Sequence, residues 1–135
     1  MDNLKWDEGF SVGNKVLDDQ HYKIFSLINK LNNANLCLPP EEIESHVLKN
    51  MIEYAKEHLL FEEKLLKRIQ YPDYEFHVSL HKDYLLRVAD LSMKLMENCD
   101  KKTQQEFLDY LHHWWKHHIL IEDMKYKKFI KKLKS

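Results

Sequence analysis

The stretch Tyr74–Leu95, YEFHVSLHKDYLLRVADLSMKL, decides the fold. Its residues Tyr74, His77, His81, Tyr84, Val88, Leu91 and Leu95 recur at alternating intervals of three and four. That spacing keeps one stripe of a helix turned toward partner helices. Pro72 bounds the segment upstream, because the residue before a proline is pushed out of the α region. Downstream the pattern fades at Asn98-Cys99-Asp100, so a helix is predicted over about 73–97.

The same rhythm extends to both sides. His21, Ile24, Ile28, Leu31 and Asn35 predict a helix over about 18–36, capped by Asp18 or Asp19 and stopping before Pro39-Pro40. Met51, Ala55, His58, Glu62, Leu65 and Ile69 predict another over about 41–69, and Phe107, Leu111, Trp114 and His118 a fourth over about 102–119. A basic segment at about 123–133 forms a short C-terminal helix, and residues 1–17 form an irregular arm around both glycines. Long helices with short connections predict an all-α, up-down-up-down four-helix bundle in a single domain over 1–135.

Composition agrees. The 135 residues include only 2 Gly and 3 Pro, and no glycine follows Gly13, whereas average usage is about 7% Gly and 5% Pro. A sandwich or barrel would need turn residues throughout, and a Gly-rich phosphate loop has no glycines to build it. The net charge of -1 gives no electrostatic case for nucleic-acid binding. No apolar run is long enough for a transmembrane helix. The start, Met1 to Trp6, has neither the basic nor the apolar region of a signal peptide. The expected location is the cytoplasm, with Cys37 and Cys99 as free thiols; both fall in connections at the same end of an up-down bundle, which leaves a redox pairing as the alternative.

Nine histidines have no explanation in helix propensity. A polar side chain in an apolar core costs several kcal/mol unless it is paired or binds metal. Yet the seams carry His21, His58, Glu62, His77, His81 and His118. Residues four apart on a helix differ by about 40° in direction, so His58/Glu62 and His77/His81 each project to one side. Five imidazoles and a carboxylate in one bundle imply metal. The donor types suit Fe, Mn, Zn or Cu, and five imidazoles exceed the need of one ion. A second carboxylate should stand near His118. Glu122, four residues on, is geometrically easier. Asp123, five on, requires the helix to end or distort between them. His117 rivals His118 on an alternative stripe, while Glu63 is expected to face solvent and His46, His112 and His113 to lie at the surface or rim. The lysines from Lys125 to Lys134 read as the wet face of a helix docked through Tyr126, Phe129, Ile130 and Leu133.

These motifs resemble the hemerythrin family, specifically its single-domain bacterial members. The family's I-D-x-Q-H appears as Leu17-Asp18-Asp19-Gln20-His21, its H-x-x-x-E as His58 to Glu62, and its Y-P as Tyr71-Pro72. H-x-x-x-H is His77 to His81, and W-x-x-x-H-I-x-x-x-D with a later Tyr is Trp114, His118, Ile119, Asp123 and Tyr126; Trp6 matches an N-terminal tryptophan. The resemblance selects His118 over His117 and Asp123 over Glu122. It implies a non-haem centre of two Fe ions with a bridging oxo or hydroxo group. His77, His81 and His118 would hold one iron, His21 and His58 the other, with Glu62 and Asp123 bridging.

One coordination position stays open on the second iron, and the implied activity is reversible O2 binding for storage, delivery or sensing. It is not an enzyme activity, and a separate protein would receive the O2 or the signal. The alternative is a diiron enzyme or iron-handling protein acting on peroxide or NO. Ferritin-type sites use Glu-x-x-His pairs, and no Glu stands three before any His here. Trp6, Leu59, Trp114, Trp115 and Ile119 are the expected apolar ligand pocket. Two departures stand out within it: Trp115 where the family usually has Leu, expected to narrow ligand access, and Leu59 where Phe is common after His58.

Overall fold

The computed structural model describes residues 3–37 and 45–134. It contains α1 (Lys15–Leu31), α2 (Ser45–Arg68), α3 (Tyr74–Glu97), α4 (Lys101–His117), a π-helical segment His118–Asp123 and α5 (Met124–Leu133). A 3-10 turn at Glu8–Phe10 precedes them, and no strand occurs among the described residues. Each long helix packs on the next in the chain, and α4 returns to α1, closing a four-helix bundle.

The boundaries obey local chemistry. Asn14, not Asp18 or Asp19, caps α1, its side chain accepting the Leu17 N–H at 3.1 Å. Asp18 lies inside the first turn and instead accepts the Val12 N–H at 2.8 Å and the Ser11 hydroxyl at 2.6 Å, tying the arm to the bundle. Several Asx residues compete for one cap here, and the arm's own need for acceptors decides between them. Helix α1 ends at Leu31, short of the expected residue 36, and residues 32–37 continue as turns and a bend. The expected start of the second helix near Glu41 lies outside the described residues.

Helix α2 closes without glycine. The Tyr71 N–H donates to the Leu66 carbonyl at 3.0 Å and the Gln70 N–H to Lys67 at 3.1 Å, while Gln70 takes a φ of 57°. This is the Schellman pattern, in which glycine is the usual left-handed residue, and Pro72 then prevents the helix from resuming. Asp100 caps α4, accepting both the N–H and the hydroxyl of Thr103.

The core contains Ile24, Ile28, Leu31, Met51, Ala55, Leu59, Tyr84, Val88, Leu91, Phe107, Leu111 and Trp115. The predicted α3 stripe is buried throughout except for half-buried Tyr74. On α2 the seam passes through Leu66 rather than the half-buried Leu65, and on α4 through Trp115 rather than the half-buried Trp114. Helix α5 docks through buried Tyr126 and half-buried Phe129 and Ile130, but Leu133 is 56% exposed.

Cys37 and Cys99 form a disulfide, with Cα atoms 5.5 Å apart. The expectation of two free thiols is thereby corrected. The bundle brings the α1–α2 and α3–α4 connections to the same end, and the Leu36 N–H donates to Gln104 there at 3.1 Å.

Candidate metal centre

The polar residues of the seams occur early in α1 and α3 and late in α2 and α4. Alternating helix directions bring those four regions to one level. There His21, His58, Glu62, His77, His81, His118 and Asp123 are all buried, none more than 3% exposed. Glu62, His77, His81 and His118 form one group whose donor atoms lie within 4.8 Å of one another, and His21, His58 and Glu62 form a second.

Two carboxylates span the groups. Glu62 Oε1 lies 2.7 Å from His77 Nε2 and 3.2 Å from His81 Nε2, while its Oε2 faces His58 and His21 at 3.5 and 3.7 Å. Asp123 Oδ1 lies 3.3 Å from His77 and 3.2 Å from His118, and its Oδ2 lies 3.3 Å from His21. The π-helical segment explains how Asp123 gets there. On an ideal α-helix a five-residue step turns about 140° away, but i→i+5 hydrogen bonding widens the turn and brings the fifth residue onto the face of the first. The helix therefore distorts rather than ends between them. Glu122 pairs with Lys125 at 3.1 Å and is not among the clustered donors, and His117 is exposed.

The electrostatics are those of a cation site. Burial alone would raise the Glu62 carboxyl, but the imidazoles of His21, His58, His77 and His81 hold it well below the ordinary carboxylate range. Burial would likewise depress the His77 imidazole, yet Asp123 and Glu62 outweigh it and raise it to about 10. His58, more deeply enclosed, is pushed down by desolvation. Two fully buried carboxylates demand positive charge nearby, either protons on imidazoles or metal cations. Protons do not satisfy the whole set: both His21 ring nitrogens, His58 Nε2 and both Asp123 oxygens are buried without a hydrogen-bond partner. Such orphaned atoms cost about 1–3 kcal/mol each, and their inward convergence fits metal coordination.

Outer contacts orient the rings. Gln20 Oε1 lies 2.7 Å from His58 Nδ1, and Glu63 Oε2 lies 2.7 Å from His81 Nδ1. Each oxygen accepts, so Nδ1 carries the proton and Nε2 is left free to face inward. Glu63 is thus not the solvent-facing residue its helical angle predicts; its side chain is 19% exposed and reaches across to α3. An angle on a wheel gives the direction of Cβ, not the position of a neighbouring helix. The Tyr126 hydroxyl donates to Glu62 Oε2 at 3.0 Å.

The profile of the hemerythrin HHE cation binding domain matches residues 12–130. The chain belongs to the hemerythrin family. It is 27% identical over 128 residues to a bacteriohemerythrin of Stenotrophomonas maltophilia, covering 95% of this chain and 82% of that protein. It is 30% identical to a hemerythrin-like protein of Naegleria gruberi, covering 92% and 91% of the two chains. A bacteriohemerythrin of Clostridium acetobutylicum is also 30% identical, covering 90% and 96%. Hemerythrin membership and the His/Glu donor set together support a non-haem iron site. Among the described residues no helix is long and apolar enough to cross a membrane.

The residues expected to line a ligand pocket divide between the two groups. Trp115 is fully buried with its ring 5.8 Å from His58, whereas Trp114 stacks on His118 at 4.3 Å with an interplanar angle of 11°. Leu59 and Ile119 are buried in the same core. Trp6 is half-buried, its ring contacts being with Phe10, Tyr22 and Phe25 on the flank of α1. Gln20, Glu63 and Tyr84 are not among the site residues expected from the sequence, which places Tyr84 on the α3 core stripe and Glu63 in solvent. Gln20 and Glu63 each adjoin a seam residue in the chain, and Gln20 also stands in the Leu17-to-His21 motif.

Removing an outer hydrogen bond to a metal-bound histidine costs about 10- to 100-fold in metal affinity. Glu63→Ala is therefore expected to weaken iron retention by that factor in competition with a chelator. Glu63→Gln, which keeps an acceptor oxygen, should lose less, and equal retention in all three proteins would remove Glu63 from the site.

Proposed function

We propose that this protein binds O2 reversibly at a diiron centre, for oxygen storage, delivery or sensing. His77, His81 and His118 would hold one iron, His21 and His58 the other, and Glu62 and Asp123 would bridge the two beside an oxo or hydroxo group. The single observation that carries the reading is the division of five imidazoles into three and two, with each carboxylate directing one oxygen to each side. Three imidazoles and one oxygen from each carboxylate would hold the first iron. The half with two imidazoles is one donor short, and an open position is what a ligand-binding metal requires. When bound, the ferrous pair supplies the two electrons that reversible O2 binding needs.

The chain's own residues restrict the chemistry of that half. Trp115, whose ring lies 5.8 Å from His58, is buried in one apolar core with Leu59 and Ile119, each at 1% exposure or less, so His58 adjoins apolar side chains. A dry wall excludes water and offers no proton to the space it encloses. Tyr126 is no proton source either, since burial and the negative charge of Asp123 and Glu62 push its hydroxyl well above the ordinary value.

The visible spectrum of the reduced, iron-loaded protein on exposure to O2 tests this. A charge-transfer band that appears with O2 and disappears on deoxygenation over repeated cycles is expected. Irreversible conversion to the ferric form in the first cycle would overturn the carrier reading.

A further inference from the structure

The Trp115 Nε1–H is buried and donates to the Tyr84 hydroxyl at 3.0 Å, joining α4 to α3. Both partners are deep in the core, Trp115 at 0% and Tyr84 at 1% exposure. The Tyr84 ring also lies 4.2 Å from Trp114, which stacks on His118, while Trp115 lies 5.8 Å from His58. One tyrosine therefore touches the two indoles that abut opposite halves of the centre.

We propose that Tyr84 is a positioning residue: by accepting the Trp115 Nε1–H it fixes the indole as the wall beside His58 and so sets which small ligands that half admits. The bond has two physical effects. It anchors the nitrogen side of a large flat ring to a different helix, so the ring cannot shift without leaving a buried donor unpaired. It also occupies the only N–H the indole has, so this wall presents no donor to a ligand beside His58. The place of the indole beside His58 thus depends on a contact that itself touches no metal ligand through the hydroxyl. The kinetic consequence rests on the iron-site reading above; the consequence for the indole does not.

Tyr84→Phe removes one oxygen and keeps the ring. In the iron-free protein, the Trp115 indole N–H signal should move in a nitrogen–proton correlation spectrum, and its exchange with solvent should accelerate about tenfold, the scale of one lost net hydrogen bond. In the iron-loaded ferric protein, azide association should rise about tenfold, while O2 association to the ferrous form changes less because the smaller ligand is less hindered. Trp115→Phe, which keeps a ring and lacks the donor, should reproduce the azide result, and the double variant should add nothing further.

An unchanged indole signal or unchanged azide kinetics in Tyr84→Phe overturns the proposal. An equally large effect of Tyr84→Phe in a Trp115→Leu background also overturns it, since Tyr84 would then be acting through something else. Azide binding is read on the ferric form, so a wild-type protein that fails to bind O2 reversibly leaves this test standing and identifies the oxygen-binding reading as the one that failed.

Discussion

Replacing Glu62 by Gln is expected to abolish iron binding in both halves of the centre at once. Glu62 stands in both close donor groups, with Oε1 toward His77 and His81 and Oε2 toward His21 and His58, so its own contacts reach four of the five imidazoles where those of Asp123 reach three. Gln keeps the volume and one acceptor oxygen but loses the charge and offers an amide N–H₂ to one half. Iron content after anaerobic reconstitution, measured by a colorimetric chelator assay, should fall from the two ions per chain that the proposed diiron centre requires to none. His21→Ala, which removes one donor from the smaller group, should leave one ion in the other. The contrast separates a shared ligand from an ordinary one. Retention of one ion in Glu62→Gln would show that Asp123 suffices as the bridge and would assign Glu62 to a single half.

A folding control belongs with it. Removing one partner of a buried charged cluster costs about 3–5 kcal/mol, because His77 then carries a proton that only Asp123 compensates. The iron-free variant should be less stable than iron-free wild type yet still helical by circular dichroism. Loss of helix would make the missing iron uninformative, and the isosteric substitution is chosen to avoid that.

The ligand stripes are legible in the amino-acid sequence because helical geometry ties i to i+4 wherever the backbone is regular. His58/Glu62 and His77/His81 are one turn apart on uninterrupted helices, and there the spacing alone places the side chains together. Spacing leaves Asp123 against Glu122 open, because a π-helical segment is a choice between nearly equal hydrogen-bond registers that tertiary contacts decide. Here buried Asp123, Tyr126 and His118 decide it by converging on Glu62 and His77. Glu63 escapes the pattern for a related reason: its partner His81 belongs to another helix, and no periodicity within α2 reports where α3 lies. The Asn14 cap is a third case. Asp18 is claimed by Ser11 and Val12 of the arm, and an irregular segment has no period from which to anticipate that.

The disulfide offers the sharpest separation of fold from site. Cys37 and Cys99 are 62 residues apart in the chain and tie together the two connections at one end of the bundle. His77 and His81 stand at the start of α3 and Cys99 just beyond its end at Glu97, so the bridge and the centre are separated by most of a helix that rises about 1.5 Å per residue. A crosslink of this separation restricts the unfolded chain by about 4 kcal/mol in the loop-entropy account. Cys99→Ser, or reduction of the wild type with a phosphine, is therefore expected to lower Tm by roughly 10 °C for a domain of this size. The same treatment should leave iron content and any O2-dependent spectrum unchanged, because the bridge lies most of a helix away from the seam histidines. A large Tm loss with an intact spectrum makes the bridge a staple of the distal end. A reduced protein that also loses iron would mean that the two ends of the bundle are coupled through α1 and α3. An unchanged Tm would mean that the two connections are already held as firmly by packing and the Leu36–Gln104 hydrogen bond as by the covalent link.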